Sequence, residues 1–224
     1  MSLRAKRGPP ENASRDSRGK ANPQSAVKLP RPELRGKVSL EEAIAKRRSV
    51  RRYRTDPLTL SQLSQILWSA QGTTGRGELR AAPSAGATYP LEVLAVIGKQ
   101  AVDKLEAGIY HYEADSHSLV CSQPGDLRRE LAMAALDQGF IASAPVDIVI
   151  CAIYTRTSYT YGRRGERYVH MEVGHVGENI HLQAVALDLA TVEVGAFNDE
   201  EVRKALGVEE RIKPLYIMPL GRPF

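Results

Sequence analysis

Nine residues, Lys46–Arg54 ("KRRSVRRYR"), pack six cations around one serine. Guanidinium forks match phosphate oxygens two bonds at a time, and Ser49 adds a hydroxyl donor. Basic residues also favour helix C-termini through the dipole, but that accounts for two or three of the six. Arg47 and Arg51 stand four apart and are expected on one helical face. The stretch is read as a site for a phosphate-bearing ligand. Nucleic-acid binding is the lesser alternative, because only Tyr53 offers a base something to stack on.

Two other stretches carry residue types suited to a site. "APSAGATYPLE" (Ala82–Glu92) crowds Ser84, Gly86, Thr88 and Tyr89 into six positions ahead of an apolar run. A turn before a strand explains the proline and glycine but not the hydroxyls. "GAFND" (Gly195–Asp199) joins a strand to a helix. Asn198 or Asp199 serves there as an N-cap, or Gly195 lets the backbone approach a flat ligand with free amides; the residues leave both open.

Several chemistries are excluded. "GTTGRGE" lacks the Gly-Lys-Ser/Thr ending of a nucleotide loop and follows a helix. Glu172/His175 and Glu178/His181 echo carboxylate–imidazole metal spacing, yet lie six residues apart on one helix. That offset rotates them by about 240°, so they cannot converge on one metal. His170 and His181 are expected at a surface or interface. No G-x-S-x-G elbow suggests a hydrolase. Cys121 and Cys151 fall in apolar, strand-like runs and read as buried free thiols.

The elements that hold these residues follow from periodicity. Ser39 with Glu42 forms an expected capping box for a helix starting at Leu40. Leu60, Leu63, Ile66 and Leu67 stripe a second helix, ending near Gly72. Gly72–Arg80 reads as a flexible loop. Leu91–Gly98 and Val146–Tyr154 read as buried strands, and Gly108–Glu113 with Ser118–Ser122 as a hairpin. Asp126 is expected to cap a helix. Val169, Val173, Val176, Ile180, Ala184 and Leu187 stripe a long helix over Arg167–Leu189. A strand at Thr191–Val194, a helix at Asp199–Leu206 and a strand at Pro214–Leu220 complete an α+β chain.

The net charge of +5 hides an asymmetry. Residues 1–54 hold 16 Lys and Arg against 5 Asp and Glu; the remainder holds 15 against 21. Residues 1–37 are rich in Pro, Gly, Ser and Lys/Arg and are expected to be a disordered basic leader. Residues 38–224 would form one domain. No apolar run approaches ~18 residues, and the N-terminus has no apolar signal core, so no membrane span and a cytoplasmic location are expected.

Taken in order, "SLEEAIAKRRSVRRY", "APSAGATYPLE", "GIYHY", "YGRRGERYVHMEVGHVGENIHLQA" and "VGAFNDEEV" resemble the flavin-dependent nitroreductase superfamily. Within it they are most similar to the SagB-type, thiazole/oxazole-forming dehydrogenase branch. The resemblance covers about residues 29–221. It implies a nitroreductase-like mixed central sheet flanked by helices, in an intertwined homodimer with FMN at the interface. It implies Arg47, Arg48 and Ser49 at the FMN phosphate and ribityl chain, with Gly221 and Arg222 returning to the phosphate. Arg51 would lie at the pyrimidine edge, and Gly195 and Ala196 would offer amides near N5 and O4. Pro83, Ser84, Ala85 and Gly86 would cover the ring of the partner's site. Asn179 is a second-tier candidate.

The implied activity is ping-pong hydride transfer from NAD(P)H through flavin N5 to a small organic acceptor. The alternatives are azoline-to-azole oxidation in a modified peptide, and a non-catalytic nucleic-acid-binding module using the basic leader. In azoline-oxidising relatives a Lys-Tyr pair precedes the glycine of the YG-x-RG segment; here the pair is Thr160-Tyr161. Threonine is no base at neutral pH, which counts against that chemistry. No residue is assigned as acid or base beyond Tyr161 as a candidate proton donor. No metal is expected.

Overall fold

The computed structural model describes residues 26–75 and 79–224. Most of the expected leader, residues 1–25, and the loop positions 76–78 lie outside the described residues.

Seven strands form one sheet in the order β1-β6-β5-β4-β7-β9-β8. They are β1 (Val27–Lys28), β4 (Leu91–Ile97), β5 (Gly108–Glu113), β6 (Ser118–Pro124), β7 (Val146–Ala152), β8 (Ala190–Thr191) and β9 (Lys213–Gly221). All named pairs are antiparallel. Among the described residues, parallel pairing is confined to isolated bridges, Ser49 to Thr191 of β8 and Leu58 to Val102, where a mixed sheet was expected.

Every residue of β7 is buried because both sheet faces are covered. One face packs on α2 (Leu60–Gln71) and α6 (Arg164–Ala186), with Ile66, Leu67, Val173 and Ile180 set against Val93, Ala95, Ile148 and Ile150. The other face packs on α3 (Arg128–Ala134), α4 (Gly139–Ser143) and α7 (Asp199–Ala205), through Leu131, Ile141 and Val202 against Leu94, Val149 and Ile217. Period-2 alternation in the strands and 3.6-residue periodicity in α6 build this three-layer core. Each fully buried leucine or isoleucine contributes about 1.5–3 kcal/mol.

The remaining elements are α1 (Leu40–Lys46), α5 (Thr155–Tyr161) and the hairpin β2 (Thr73–Thr74) with β3 (Leu79–Arg80). The hairpin stands where a flexible loop was expected. At α1, Ser39 caps the Glu42 amide, but Glu42 turns away to pair with Lys46 at 2.6 Å. The full two-way capping box belongs to α2, between Thr59 and Gln62. Leu127 takes the N-cap position of α3, and Asp126, one residue before it, serves the helix start by accepting the Arg128 amide at 3.4 Å, while also binding the Arg128 guanidinium and the Lys99 amide. α6 starts earlier than its stripe predicts.

Order also begins before Ser39. Val27 and Lys28 pair with Leu119 and Ser118 at the sheet edge, and Leu29 is buried. His117 ties this segment down. Its Nε2 lies 2.9 Å from the Pro30 carbonyl and 2.8 Å from Ser64 Oγ, while Nδ1 lies 2.8 Å from the Tyr112 hydroxyl. Burial pushes the His117 pKa down.

Candidate active site

The basic stretch is not helical. α1 stops at Lys46, and Arg47 already has φ −53°, ψ 126°. Arg47 and Arg51 therefore share no helical face, contrary to expectation. Residues 47–54 run extended instead, pinned by their main chain. The Val50 amide donates to the Thr191 carbonyl at 3.0 Å, and the Arg54 amide to the Arg222 carbonyl at 2.9 Å. Tyr53 bridges Pro223, and its buried ring packs with Ala144 and Ala190. Gly221 is required there: a Cβ would come within 2.8 Å of Pro145 and 3.0 Å of Tyr53. The fold thus brings Arg47–Arg51 and Gly221–Arg222 to one sheet edge.

Not all six cations stay available to a ligand. Arg48 donates to the Ala45 and Arg47 carbonyls at 3.1 and 2.6 Å, the helix-end role that local electrostatics predicts. Arg54 pairs with Asp56 at 2.7 Å, and Arg52 lies 5.3 Å from the Phe224 ring centroid. Arg47 and Arg51 have no ion pair within bonding distance among the described residues.

Glu193 joins this edge to α6. His181 is buried, not at a surface as its sequence position suggested, and its Nε2 lies 2.9 Å from Glu193 Oε2. Burial alone would raise the Glu193 carboxyl. The His181 contact and the Arg47 charge hold it below its ordinary value. Two residues on, Gly195 and Ala196 are exposed, and neither amide finds an acceptor among the described residues. Asn198 takes the capping role, accepting from the Glu201 amide at 3.1 Å.

The Ala82–Glu92 stretch is held by side chains. The Ser84 hydroxyl accepts the Tyr89 amide at 3.0 Å. Thr88 Oγ1 donates to the Ala85 carbonyl at 3.0 Å and lies 2.7 Å from Thr157 Oγ1 of α5. Gly86, Ala87 and Tyr89 all have positive φ, at 58°, 53° and 43°. Alanine and tyrosine there are strained, and such strain clusters at functional loops. Tyr161 crosses over the loop: a Cβ on Gly86 would sit 2.5 Å from its hydroxyl. Its ring meets Tyr168 edge-on at 5.1 Å. Asn179 holds the loop's base, donating to the Ser69 and Ala81 carbonyls.

Glu172, weighed in the sequence only as half of a metal-spaced pair, is a buried carboxyl that meets Gln71 of α2. It stands on the Val169–Val173–Val176 stripe, and an acidic residue on an apolar stripe was the signal. The loop meets α6 at Glu172, and the basic edge meets it at His181. Nine residues along a helix separate these points by about 13 Å. In one chain the two clusters therefore sit at different stretches of α6. Among the described residues no group of three or more His, Cys, Asp or Glu could hold a metal ion. No helix among them is long and apolar enough to cross a membrane.

The nitroreductase family profile matches residues 44–222, from within α1 to the end of the described sheet. The chain belongs to the nitroreductase family. Within this family, the "Putative nitroreductase MJ1384" of Methanocaldococcus jannaschii is 49% identical over 83% of this chain and 91% of that one. The "Microcin B17-processing protein McbC" of Escherichia coli is 26% identical over 73% of this chain, and the match spans 62% of McbC. A solved "putative nitroreductase" from Ralstonia eutropha superposes with a TM-score of 0.76 at 27% identity, covering 89% of this chain and 90% of that chain. The α+β nitroreductase fold expected from the motifs is the fold observed.

Proposed function

We propose that this nitroreductase-family oxidoreductase binds FMN and passes hydride from NAD(P)H to a small organic acceptor. One observation carries the assignment: an extended Arg-rich segment pinned to Thr191 and Arg222, beside two amides that lack acceptors. The residues fit the cofactor. Arg47 and Ser49 would hold the phosphate and ribityl chain together with Gly221 and Arg222, and Arg48 would join them on releasing the Ala45 and Arg47 carbonyls. Arg51 would face the pyrimidine edge, and the Gly195 and Ala196 amides the N5–O4 edge. Thr191 Oγ1, next to Ser49, is a buried hydroxyl without a partner, as an incomplete site would leave it. When bound, the flavin supplies the hydride chemistry; the chain supplies position and charge.

Pro83, Ser84, Ala85 and Gly86 are assigned to the ring of the partner's site in a homodimer. The separation of the two clusters along α6 supports this. So do the apolar side chains left open on α1, Leu40 and Ile44, at 61% and 54% exposure. Purified protein is expected to be yellow and dimeric, with about one FMN per chain. A colourless protein that takes up no added FMN would refute the assignment and leave the nucleic-acid module.

A second function, azoline oxidation on a peptide, is favoured by the similarity to a protein named for microcin B17 processing. Thr160 in place of lysine argues against it. Anaerobic reduction by NADH and NADPH, then reoxidation by a nitroarene or by an azoline peptide, separates the two.

A further inference from the structure

The Gly195 and Ala196 amides can serve a ligand only if the main chain around them holds still. That chain is fixed at both ends. The Val194 amide and carbonyl both bond Ile217 of β9, at 2.9 and 3.0 Å. The Asn198 amide donates to the Ala134 carbonyl, at the end of α3, at 3.0 Å. Between these points one side chain reaches the turn. Gln138 Nε2 donates to the Ala196 carbonyl at 2.8 Å and to the Ala135 carbonyl at 2.7 Å. Among the described residues no other side chain bonds the main chain of residues 195–197.

The chain leading to Gln138 is strained. Leu136 and Asp137 have φ of 59° and 57°, two successive non-glycine residues in the left-handed region. Leu136 is 64% exposed, so burial does not offset its strain. Such strain persists where the surroundings dictate it, and it collects at functional turns. Beyond Gln138 the chain is firmly seated. Ile141 of α4 is fully buried. Phe140 packs on the core beneath α3 and α7 and also on Tyr53, Ala144 and Ala190 under the basic edge. Gln138 thus ties the exposed turn to the same packing that carries Tyr53.

We propose that Gln138 is a positioning residue: by holding the Ala196 carbonyl, it keeps the Gly195 and Ala196 amides in one orientation toward the hydride-accepting edge of the cofactor. The inference rests on the FMN function proposed above. Gln138 acts through the turn and transfers no proton. Donors fixed in advance stabilise developing charge without being reordered in each cycle. Loss of the Gln138 bond therefore acts on the rate of hydride transfer. Affinity is left to the basic edge, through Arg47 and Arg222.

The test uses full-length wild type, Gln138→Met and Gln138→Glu. Methionine keeps the length of the side chain and removes the donor. Glutamate keeps the shape and sets a carboxylate against two carbonyls. With FMN bound and NAD(P)H in excess, stopped flow should show reduction slowed about tenfold in Gln138→Met, less than the roughly 10²–10³-fold cost of deleting a whole donor. Gln138→Glu should be slower still. The FMN dissociation constant should change less than about threefold in both, since charge-assisted bonds at the basic edge carry the anion. An unchanged reduction rate, or affinity lost in step with rate, overturns the positioning role.

A second readout needs no cofactor. In Gln138→Met the Asn198 amide should exchange with solvent about three- to tenfold faster, the fold-change of one hydrogen bond, while the β7 amides stay as protected as in wild type. Unchanged exchange at Asn198, or acceleration shared by β7, overturns the role. If neither variant folds, the wild-type Gln138 side-chain amide decides: slowed exchange supports the bond to Ala196, and free exchange overturns it. Failure of wild type to bind FMN, or to be reduced by NAD(P)H, refutes the function itself, while the exchange measurements still judge Gln138.

Discussion

The basic edge at Arg47–Arg54 and the loop at Ala82–Glu92 are built by opposite means. The first is fixed by its main chain, through Val50 to Thr191 and Arg54 to Arg222, so the Arg47 and Arg51 guanidinium groups stand clear. The second is fixed by its hydroxyls, through Ser84 and Thr88, so its outer surface is small and nearly bare. Their buried acids differ in the same way. Glu172, on α6, accepts a hydrogen bond from Gln71 Nε2 at 3.5 Å. Asp147, which acts on Tyr53 through charge, is fully buried with neither oxygen partnered. A region that must grip an anion keeps its side chains free, and one that must lie flat spends them.

That contrast breaks most sharply at the guanidinium groups. Arg47→Ala with Arg51→Ala should weaken FMN binding at least about 10²-fold, since each charge-assisted bond contributes about 1.5–3 kcal/mol. Fluorescence titration with FMN measures this. Affinity unchanged in the double variant would make the basic edge mere surface.

Thr157→Val should loosen the loop while leaving the basic edge intact. Losing the Thr88 partner costs about 1–3 kcal/mol locally. Limited proteolysis should cut faster between residues 82 and 92, and the FMN dissociation constant should move much less than in the arginine variant.

The two buried acids supply a third contrast. Burial raises the Asp147 pKa well above its ordinary value. The native state therefore keeps a proton that the unfolded chain releases near its ordinary value, and stability falls as pH rises from there towards the folded pKa. Asp147→Asn should remove that fall and stabilise the protein by about 1–2 kcal/mol at neutral pH. Urea midpoints followed upward in pH from about 4, the ordinary aspartate value, measure it. A wild-type midpoint that rises with pH through this window would show Asp147 to be ionised in the fold.

The smallest effect is expected at Gly86. Gly86→Ala meets a φ of +58° and the Tyr161 hydroxyl, at a cost of about 1 kcal/mol plus displacement of that ring. Thermal unfolding gives the cost, and a changed Tyr161 fluorescence environment reports the shift.

Much of this was legible from residue patterns. The stripes of α2 and α6 and the alternating strands are local signals, and they placed the core. The Arg-Ser-Arg stretch pointed to an anion site through composition alone. What stayed hidden depends on tertiary partners. Arg47 left the helix because residues 49–50 are captured by Thr191, a contact 142 positions away along the chain. α5 carries no apolar stripe, burying only Thr157, so nothing in its sequence announced a helix. Glu172 and His181 looked like metal-spaced or surface residues because the burial of each is decided by what packs over α6.

The seven-stranded sheet has two ends, and both are stoppered by the N-terminal quarter of the chain. Val27–Lys28 lies along β6, and Ser49–Val50 lies along β8. An open strand invites another strand, from the same protein or any other. Two residues of β1 against β6 and Ser49 against Thr191 shorten the open edges that a second copy could extend. A dimer that meets through helices and loops would meet at the parts that carry the candidate site. Removing residues before Leu29 should then leave flavin affinity largely intact while unpicking one hem, and the shortened chain should clump on storage at concentrations where the full chain stays clear.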